Sequence, residues 1–236
     1  MSRGIVHIDT AAEGRYIAPM KRTAAATVGE PRRATADRVL QGAIRVLKRE
    51  GFAALSARSI AVEAGTNLAL LGYYFGSKEK LLLAIFEELD EGRLERQRRM
   101  YEDPALPLSE KWRQAVAFYR QDLAEGYVRI LQELTAYGYS NPVIGARVRR
   151  RMAGWRGLLE ETIRRYAGEL GLDADPRLVA SAVVSFWYGV EEQHLAGVSE
   201  RDGRFFELLD AVGDLLKARE RARGRLRARP RARASR

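Results

Sequence analysis

The residues best suited to do chemistry in this chain lie between Ser56 and Lys78, and the chemistry is recognition rather than catalysis. Ser56 offers a hydroxyl that can accept from the unpaired N–H groups of a helix start, and Asn67 offers an amide oxygen for the same task. Gly65, between them, supplies a left-handed turn that glycine adopts cheaply. Ile60 and Ala64 fall on one face, Ala61 is small, and Leu71 and Tyr74 point back toward a small core. The Ala61–Gly65–Leu71 spacing, four and then six residues, predicts two short helices crossing steeply over a tight turn. That is the helix-turn-helix unit, whose second helix enters the DNA major groove. In that frame Arg58, Thr66, Asn67, Leu68, Ala69 and Leu70 are expected to face the groove, while Tyr73, Tyr74 and Lys78 hold phosphates. Ser56, with Arg33 and Thr35 at the start of the preceding helix, completes the expected DNA-contacting set. Leu68, Ala69 and Leu70 are apolar on a helix with little core to fill, which suits contact with thymine methyls. Lys78 opposes the dipole of the helix it begins, and a phosphate bound there would offset that cost.

Two ordinary core helices joined by a glycine would share the Ala-x-x-x-Gly pattern, so the flanks decide. Before it, Leu40, Ala43, Ile44 and Leu47 form a helical stripe from an expected N-cap at Thr35 to a stop at Gly51. After it, Tyr73-Tyr74-Phe75-Gly76 closes the second helix, and Ser77 can cap a third. Residues 35–82 thereby resemble the DNA-binding domain of the tetracycline-repressor (TetR) family of bacterial regulators. The resemblance rests on Lys48-Arg49-Glu50-Gly51-Phe52, on Ile60-Ala61-Val62-Glu63-Ala64-Gly65, and on Tyr73 through Leu81. It covers about a fifth of the chain. Thr66 stands where the family usually has valine, and Gly72 where a larger side chain is common.

Beyond the head the pattern is helical throughout: Leu82, Ile85, Phe86 and Leu89; Trp112, Ala115, Val116, Tyr119 and Leu123; Ile130, Leu131 and Leu134. Asn141-Pro142 and Asp175-Pro176 each place a cap before a first-turn proline. Asp202 is expected to start a last helix. The fold class is all-α with about nine helices. The expected organisation is a basic disordered arm over 1–32, a helix-turn-helix domain over 33–80, a ligand-binding and dimerisation domain over 81–218, and an Arg-rich disordered tail over 219–236.

Composition narrows the function. The chain has 236 residues, no cysteine and two histidines, which argues against disulfides, thiolate chemistry and a multi-histidine metal site. No metal or cofactor is expected. Phosphate-cradling glycine loops are absent, and the acidic pairs, among them Asp90-Glu91 and Glu191-Glu192, look like solvated faces, so no enzyme is expected. No apolar run approaches a membrane span, and no secretory signal is evident; a cytoplasmic protein is expected. The net charge of +10 is uneven. Residues 217–236 carry ten basic side chains against one acidic, and 34–80 carry seven against four, whereas 81–216 is net acidic. That polarity steers the head toward double-stranded DNA. The arginine tail admits a second reading, a basic architectural nucleic-acid-binding protein without a ligand switch.

The family resemblance implies a homodimer, assembled through the helices expected over 175–197 and 202–218. It also implies an effector cavity among the helices of 108–125, 127–138, 141–168 and 175–197. Trp112, Tyr119, Trp155 and Phe186 are the expected lining, with His194 as a polar handle, for a small apolar or aromatic effector.

Overall fold

The computed structural model describes residues 30–171 and 173–228. Among these, every regular element is helical. The head comprises α1 (Glu30–Glu50), a single 3-10 turn (Phe52–Ala54), α2 (Ala57–Glu63) and α3 (Leu68–Phe75). Helix α4 (Lys78–Glu102) leads into a body of α5 (Leu108–Ala124), α6 (Tyr127–Ser140), α7 (Pro142–Leu170) and α8 (Pro176–Leu195), then the single turn α9 (Glu200–Gly203) and α10 (Phe205–Ala228). The elements end where local chemistry says they should. Asn141 accepts from the N–H of Ile144 ahead of Pro142, Asp175 accepts from that of Arg177 ahead of Pro176, and Gly171 closes α7 in the left-handed region.

Several expectations are corrected at the ends. Helix α1 begins at Glu30, inside the expected arm of 1–32, with Pro31 in its first turn; a proline there loses no hydrogen bond it would otherwise make. Thr35 lies in the second turn of α1, where it accepts from Arg38, and is not the N-cap. Residues 1–29 of the expected arm lie outside the described residues. At the other end α10 runs through Ala228, past the boundary at 219 and through Gly224, so the first half of the expected disordered tail is helix. Alanine and arginine are strong helix formers, and one glycine costs only about 1 kcal/mol against them. Residues 229–236 lie outside the described residues. Asp202 does not start the last helix: Ser199 caps the single turn α9, Arg204 turns left-handed at φ 46°, and α10 begins after it.

The apolar core does not divide at residue 80. Val39, Ile44 and Leu47 of α1, Ile60 of α2, and Leu82, Ile85 and Phe86 of α4 are buried in one cluster with Tyr127, Ile130 and Leu134 of α6 and Ile144 of α7. The head is thus seated on the body through shared packing. A second cluster joins α5, α8 and α10 around Tyr119, Trp187, Val190, Phe205 and Leu209, and a third joins the distal ends of α4, α7 and α8. Lys111, wholly buried, points its ammonium at the carbonyls of Met100, Tyr101 and Asp103, at 2.7, 3.0 and 2.5 Å. It satisfies the unpaired carbonyls that end α4 and matches the negative end of that helix.

Candidate nucleic-acid interface and internal cavity

The head is built by short-range capping. Ser56 accepts from the N–H of Ser59 at 3.1 Å, and the Ser59 hydroxyl accepts from the Ser56 N–H at 3.0 Å, a reciprocal box that starts α2. Gly65 sits at φ 60°, and the N–H of Thr66 returns to the Ala61 carbonyl at 3.0 Å. Asn67 then accepts from the N–H of Leu70 at 3.1 Å and starts α3. Ser77 caps α4 in the same manner. Helix α2 lies so close to α1 that a Cβ on Gly42 would stand 2.9 Å from that of Ala64. Arg45 and Arg49 of α1 clamp Glu63 at the end of α2, at 2.7 and 2.8 Å, and pull its carboxyl below the ordinary range.

This scaffold presents α3 outward. No residue of α3 is fully buried, although the helix is almost wholly apolar. Leu68 and Tyr73 are 57% and 60% exposed, Ala69 and Asn67 are exposed, and Thr66, Leu70 and Tyr74 are half-buried. Arg58 projects from α2, exposed and without a partner among the described residues. Arg33 is exposed in the first turns of α1. Lys78 is exposed too, but its ammonium lies over the rings of Phe52 and Tyr137, 4.8 and 5.4 Å from their centroids. It therefore belongs to the seam between head and body as well as to the head's surface.

That seam is made by α6, and sequence reading missed it. Arg129 donates to the carbonyls of Leu47 and Lys48 at 2.8 and 2.6 Å, capping the C-terminus of α1. Glu133 accepts from the N–H of Phe52 at 3.0 Å. Tyr137 packs its ring on Phe52, 5.1 Å between centroids.

Inside the body, α4 to α8 enclose a cavity of about 50 Å³. Its walls carry two buried ion networks. Asp90 accepts from Arg147 at 3.1 Å, from Arg151 at 2.7 Å and from the Tyr127 hydroxyl at 3.0 Å. Asp122 pairs with Arg93 at 2.8 Å and also with Arg96. The expectation that Asp90 is a surface acid is overturned: it is buried, held by arginines from another helix. Glu191 likewise is not a solvated acid. It is half-buried in the cavity wall, accepts from Gln132 at 2.6 Å, and burial pushes its carboxyl above the ordinary value.

The five expected pocket residues do not converge. Tyr119 and Trp155 line the cavity. Trp112 donates its indole N–H to the Leu209 carbonyl at 2.7 Å, pinning α10 to α5. Phe186 packs against Trp112 and Trp187. His194 is half-buried among the rings of Tyr119, Phe205 and Phe206. The residues that join Tyr119 and Trp155 around the cavity include Trp187, Tyr127, Arg151 and Glu191. A separate apolar groove of about 440 Å³ lies between α5, α7, α8 and α10, walled by Leu159, Val179, Val183, Leu215 and Leu216. Trp112 lines that groove rather than the cavity, and Tyr101 is a wall of both voids.

Comparison with known proteins fits this architecture. Residues 39–85 match the profile described as bacterial regulatory proteins, tetR family. Over 55 residues, 23% of this chain, the sequence is 38% identical to the HTH-type transcriptional repressor NicS of Pseudomonas putida; the match spans only 26% of that protein's length. A TetR transcription regulator from Haloarcula marismortui has a similar fold at 19% identity and a TM-score of 0.63, over 80% of this chain and 98% of its own. So does the transcriptional regulator FadR of Bacillus subtilis, solved in complex with stearoyl-CoA, at 19% identity and a TM-score of 0.62, over 76% of this chain and 96% of its own.

Proposed function

From the chain's membership of the tetR family of bacterial regulatory proteins, we propose that it is a homodimeric repressor that a small molecule releases from a two-fold DNA site. The observation that carries the DNA reading is the outward apolar face of α3. An apolar helix with no fully buried residue is costly in water and well suited to thymine methyls in a major groove. Arg58 and Asn67 beside it supply polar contacts to base edges, and Tyr73, Tyr74 and Lys78, with Arg33, Thr35 and Ser56, supply phosphate contacts. Thr66, Ala69 and Leu70 complete the groove-facing set with Leu68.

Assembly through α8 and α10 is supported by their free faces. Leu178 on α8 and Leu215 on α10 are 67% and 70% exposed, and Ala182, Ser185 and Gly189 continue the first stripe as Leu208, Ala211 and Ala218 continue the second. Val184 and Leu209 face the body core instead. Small residues let helices approach closely, and the two stripes together make a self-complementary surface for an isologous pair.

The ligand response is supported by the central cavity and by the α6 seam, because the first turns of α6 line the cavity through Tyr127, Val128 and Leu131 and cap α1 through Arg129. That FadR, a protein of the same fold, is seen with stearoyl-CoA supports small-molecule binding in such a body. A ligand that prefers another arrangement of α4 and α6 needs a coupling of only about 1–3 kcal/mol to change DNA affinity 5- to 150-fold.

The test is selection of genomic fragments on the purified chain, then gel shifts with the selected fragment and a scrambled one, with and without residues 219–236. Retained preference for the selected fragment after truncation supports the proposal. Loss of nearly all binding on truncation, with equal affinity for both fragments beforehand, would favour an architectural binder driven by the arginine-rich end.

A further inference from the structure

Helix α10 reverses its charge along its length. Glu207, Asp210 and Asp214 lie in its first half; from Lys217 onward come Arg219, Arg221, Arg223, Arg225 and Arg227 against the single acid Glu220. Glu220 is engaged elsewhere. It accepts from the N–H and the hydroxyl of Ser109 at 2.8 and 2.5 Å and holds α10 to the start of α5. Arg219, Arg221 and Arg225 are exposed, and none of them, nor Arg223, makes an ion pair among the described residues. Cations favour the end of a helix, but that effect falls off within its last turn. Here they occupy about three turns. Lys217 and Arg221, Arg219 and Arg223, Arg221 and Arg225, and Arg223 and Arg227 are like charges four residues apart, and each such pair destabilises a helix. A polyanion alongside would relieve that repulsion.

The path of the helices sets these arginines far from the duplex that α3 would read. Helix α4 starts in the head and runs 25 residues away from it, about 37 Å. Helix α5 returns beside it: Lys111 reaches the Met100 carbonyl, and Asp122 pairs with Arg93. Helix α10 turns outward again, with Phe206 beside Tyr119, Leu209 beside Trp112 and Glu220 on Ser109. It therefore runs parallel to α4, and its arginines lie at and beyond the far end of α4, pointing away from the head. Residues 229–236 would span at most about 29 Å if fully extended, less than the length of α4 alone.

The disposition of the charge narrows the partner. At about 100° per residue, Arg219 and Arg223 fall on one side of α10, and Arg221 and Arg225 nearly opposite. Ala218, Ala222 and Leu226 make only a narrow stripe between them. A helix that lies on a membrane needs a broad apolar face. Cations on two sides suit a groove walled by phosphates on both sides, as in a duplex. A dimer held on one site by its heads also meets the rest of that DNA molecule at high effective concentration.

Resting on the reading of the head as the DNA reader, we propose that the arginine-rich end of α10 is a second, sequence-independent site for double-stranded DNA. It takes the phosphates of a segment other than the one under α3, so that the protein bridges two duplexes.

The experiment fixes the selected genomic fragment to beads, loads the full chain, and measures retention of a labelled duplex of scrambled sequence across a salt series. The variant Arg221→Gln/Arg223→Gln/Arg225→Gln removes three cations and keeps good helix formers. Arg219 is left in place because its guanidinium lies 3.3 Å from where a Cβ on Gly171 would stand. The full chain should retain the labelled duplex. The triple variant should retain about fivefold less or lower still, with a salt slope smaller by about 2.7, while holding the selected fragment within about twofold of wild type. Equal retention by both proteins, no retention by either, or loss of the selected fragment along with the labelled duplex overturns the proposal; the last would put the arginines on the head's own duplex. Displacement of the labelled duplex by phosphatidylserine vesicles or poly(U) at a lower charge concentration than by unlabelled duplex would also overturn it, in favour of a membrane or RNA. Anisotropy of the free scrambled duplex separates this site from the regulatory reading. A chain without preference for the selected fragment, but with weaker scrambled-duplex binding in the triple variant, would sink the regulator and leave the arginine site standing. A kept preference with unchanged scrambled-duplex binding would do the reverse.

Discussion

Replacing Arg129 with methionine tests whether α6 holds the head. The side chain keeps an apolar stem but loses both donors to the end of α1, at 2.8 Å to Leu47 and 2.6 Å to Lys48. A hydrogen bond from a charged group contributes roughly 1.5–3 kcal/mol, and the Lys48 contact lies at the exposed edge, where water replaces much of it. The helix-end charge adds a few tenths. The sum is about 2–3 kcal/mol, which at roughly 1.4 kcal/mol per decade is a 30- to 150-fold shift in the local opening of the head. Native-state hydrogen exchange reads it directly, because regions open independently. Amides of α1 in Arg129→Met should exchange faster by about that factor, while those of α7 and α8 stay near wild type. The same variant should blunt the effect of any effector on DNA binding. Unchanged protection in α1, or equal loss in α1 and α8, would refute the reasoning: the first would mean the contact carries no energy, the second that it stabilises the whole molecule rather than the seam.

Other consequences follow from single sites. Gly72→Ala should raise stability by about 0.5–1 kcal/mol in urea titrations, because Gly72 is helical, exposed and has open space where a Cβ would go; a loss of stability would contradict the α3 geometry. Glu191 holds its proton more tightly folded than unfolded, because burial raises its carboxyl, with Asp122 adding and Arg151 opposing. Its contribution is therefore full below the ordinary value of 4.5 and is lost as pH rises through the folded value. Urea midpoints of wild type against Glu191→Gln should converge at low pH and separate in the variant's favour as pH rises; parallel curves would mean that Glu191 titrates as if solvated. Leu178→Glu combined with Leu215→Glu should turn a dimer into a monomer in sedimentation with little change in Tm, since both side chains are exposed in the protomer. Val184→Glu or Leu209→Glu should unfold it instead.

What was legible in the sequence was what is decided locally. The starts at Ser56, Asn67, Ser77, Asn141 and Asp175 each depend on a side chain reaching a backbone N–H two or three residues on, and the turn at Gly65 on one dihedral angle. What was not legible is decided between distant segments. Asp90 looked like a surface acid because its partners, Arg147 and Arg151, lie about sixty residues away on α7. Arg129 and Glu133 carry no local sign that they cap the end of α1 and hold Phe52. For the aromatic residues, helical phase marks an inward side, but not whether that side meets another ring or a void. Trp112 and Phe186 meet rings and a groove, Tyr119 and Trp155 a cavity. The α10 boundary was misplaced for a different reason: an arginine-rich run reads by composition as a solvated tail, although alanine and arginine favour helix.

Under the proposed function, two heads of one dimer read two half-sites. Footprinting of the selected genomic fragment tests it most directly. Two protected segments are expected in successive major grooves, centred about 34–36 Å or a multiple apart along the helix axis, with Arg58→Ala weakening protection in both while truncation at 219 leaves them in place. A single protected segment, or diffuse protection that follows the arginine-rich end of the chain, would contradict it.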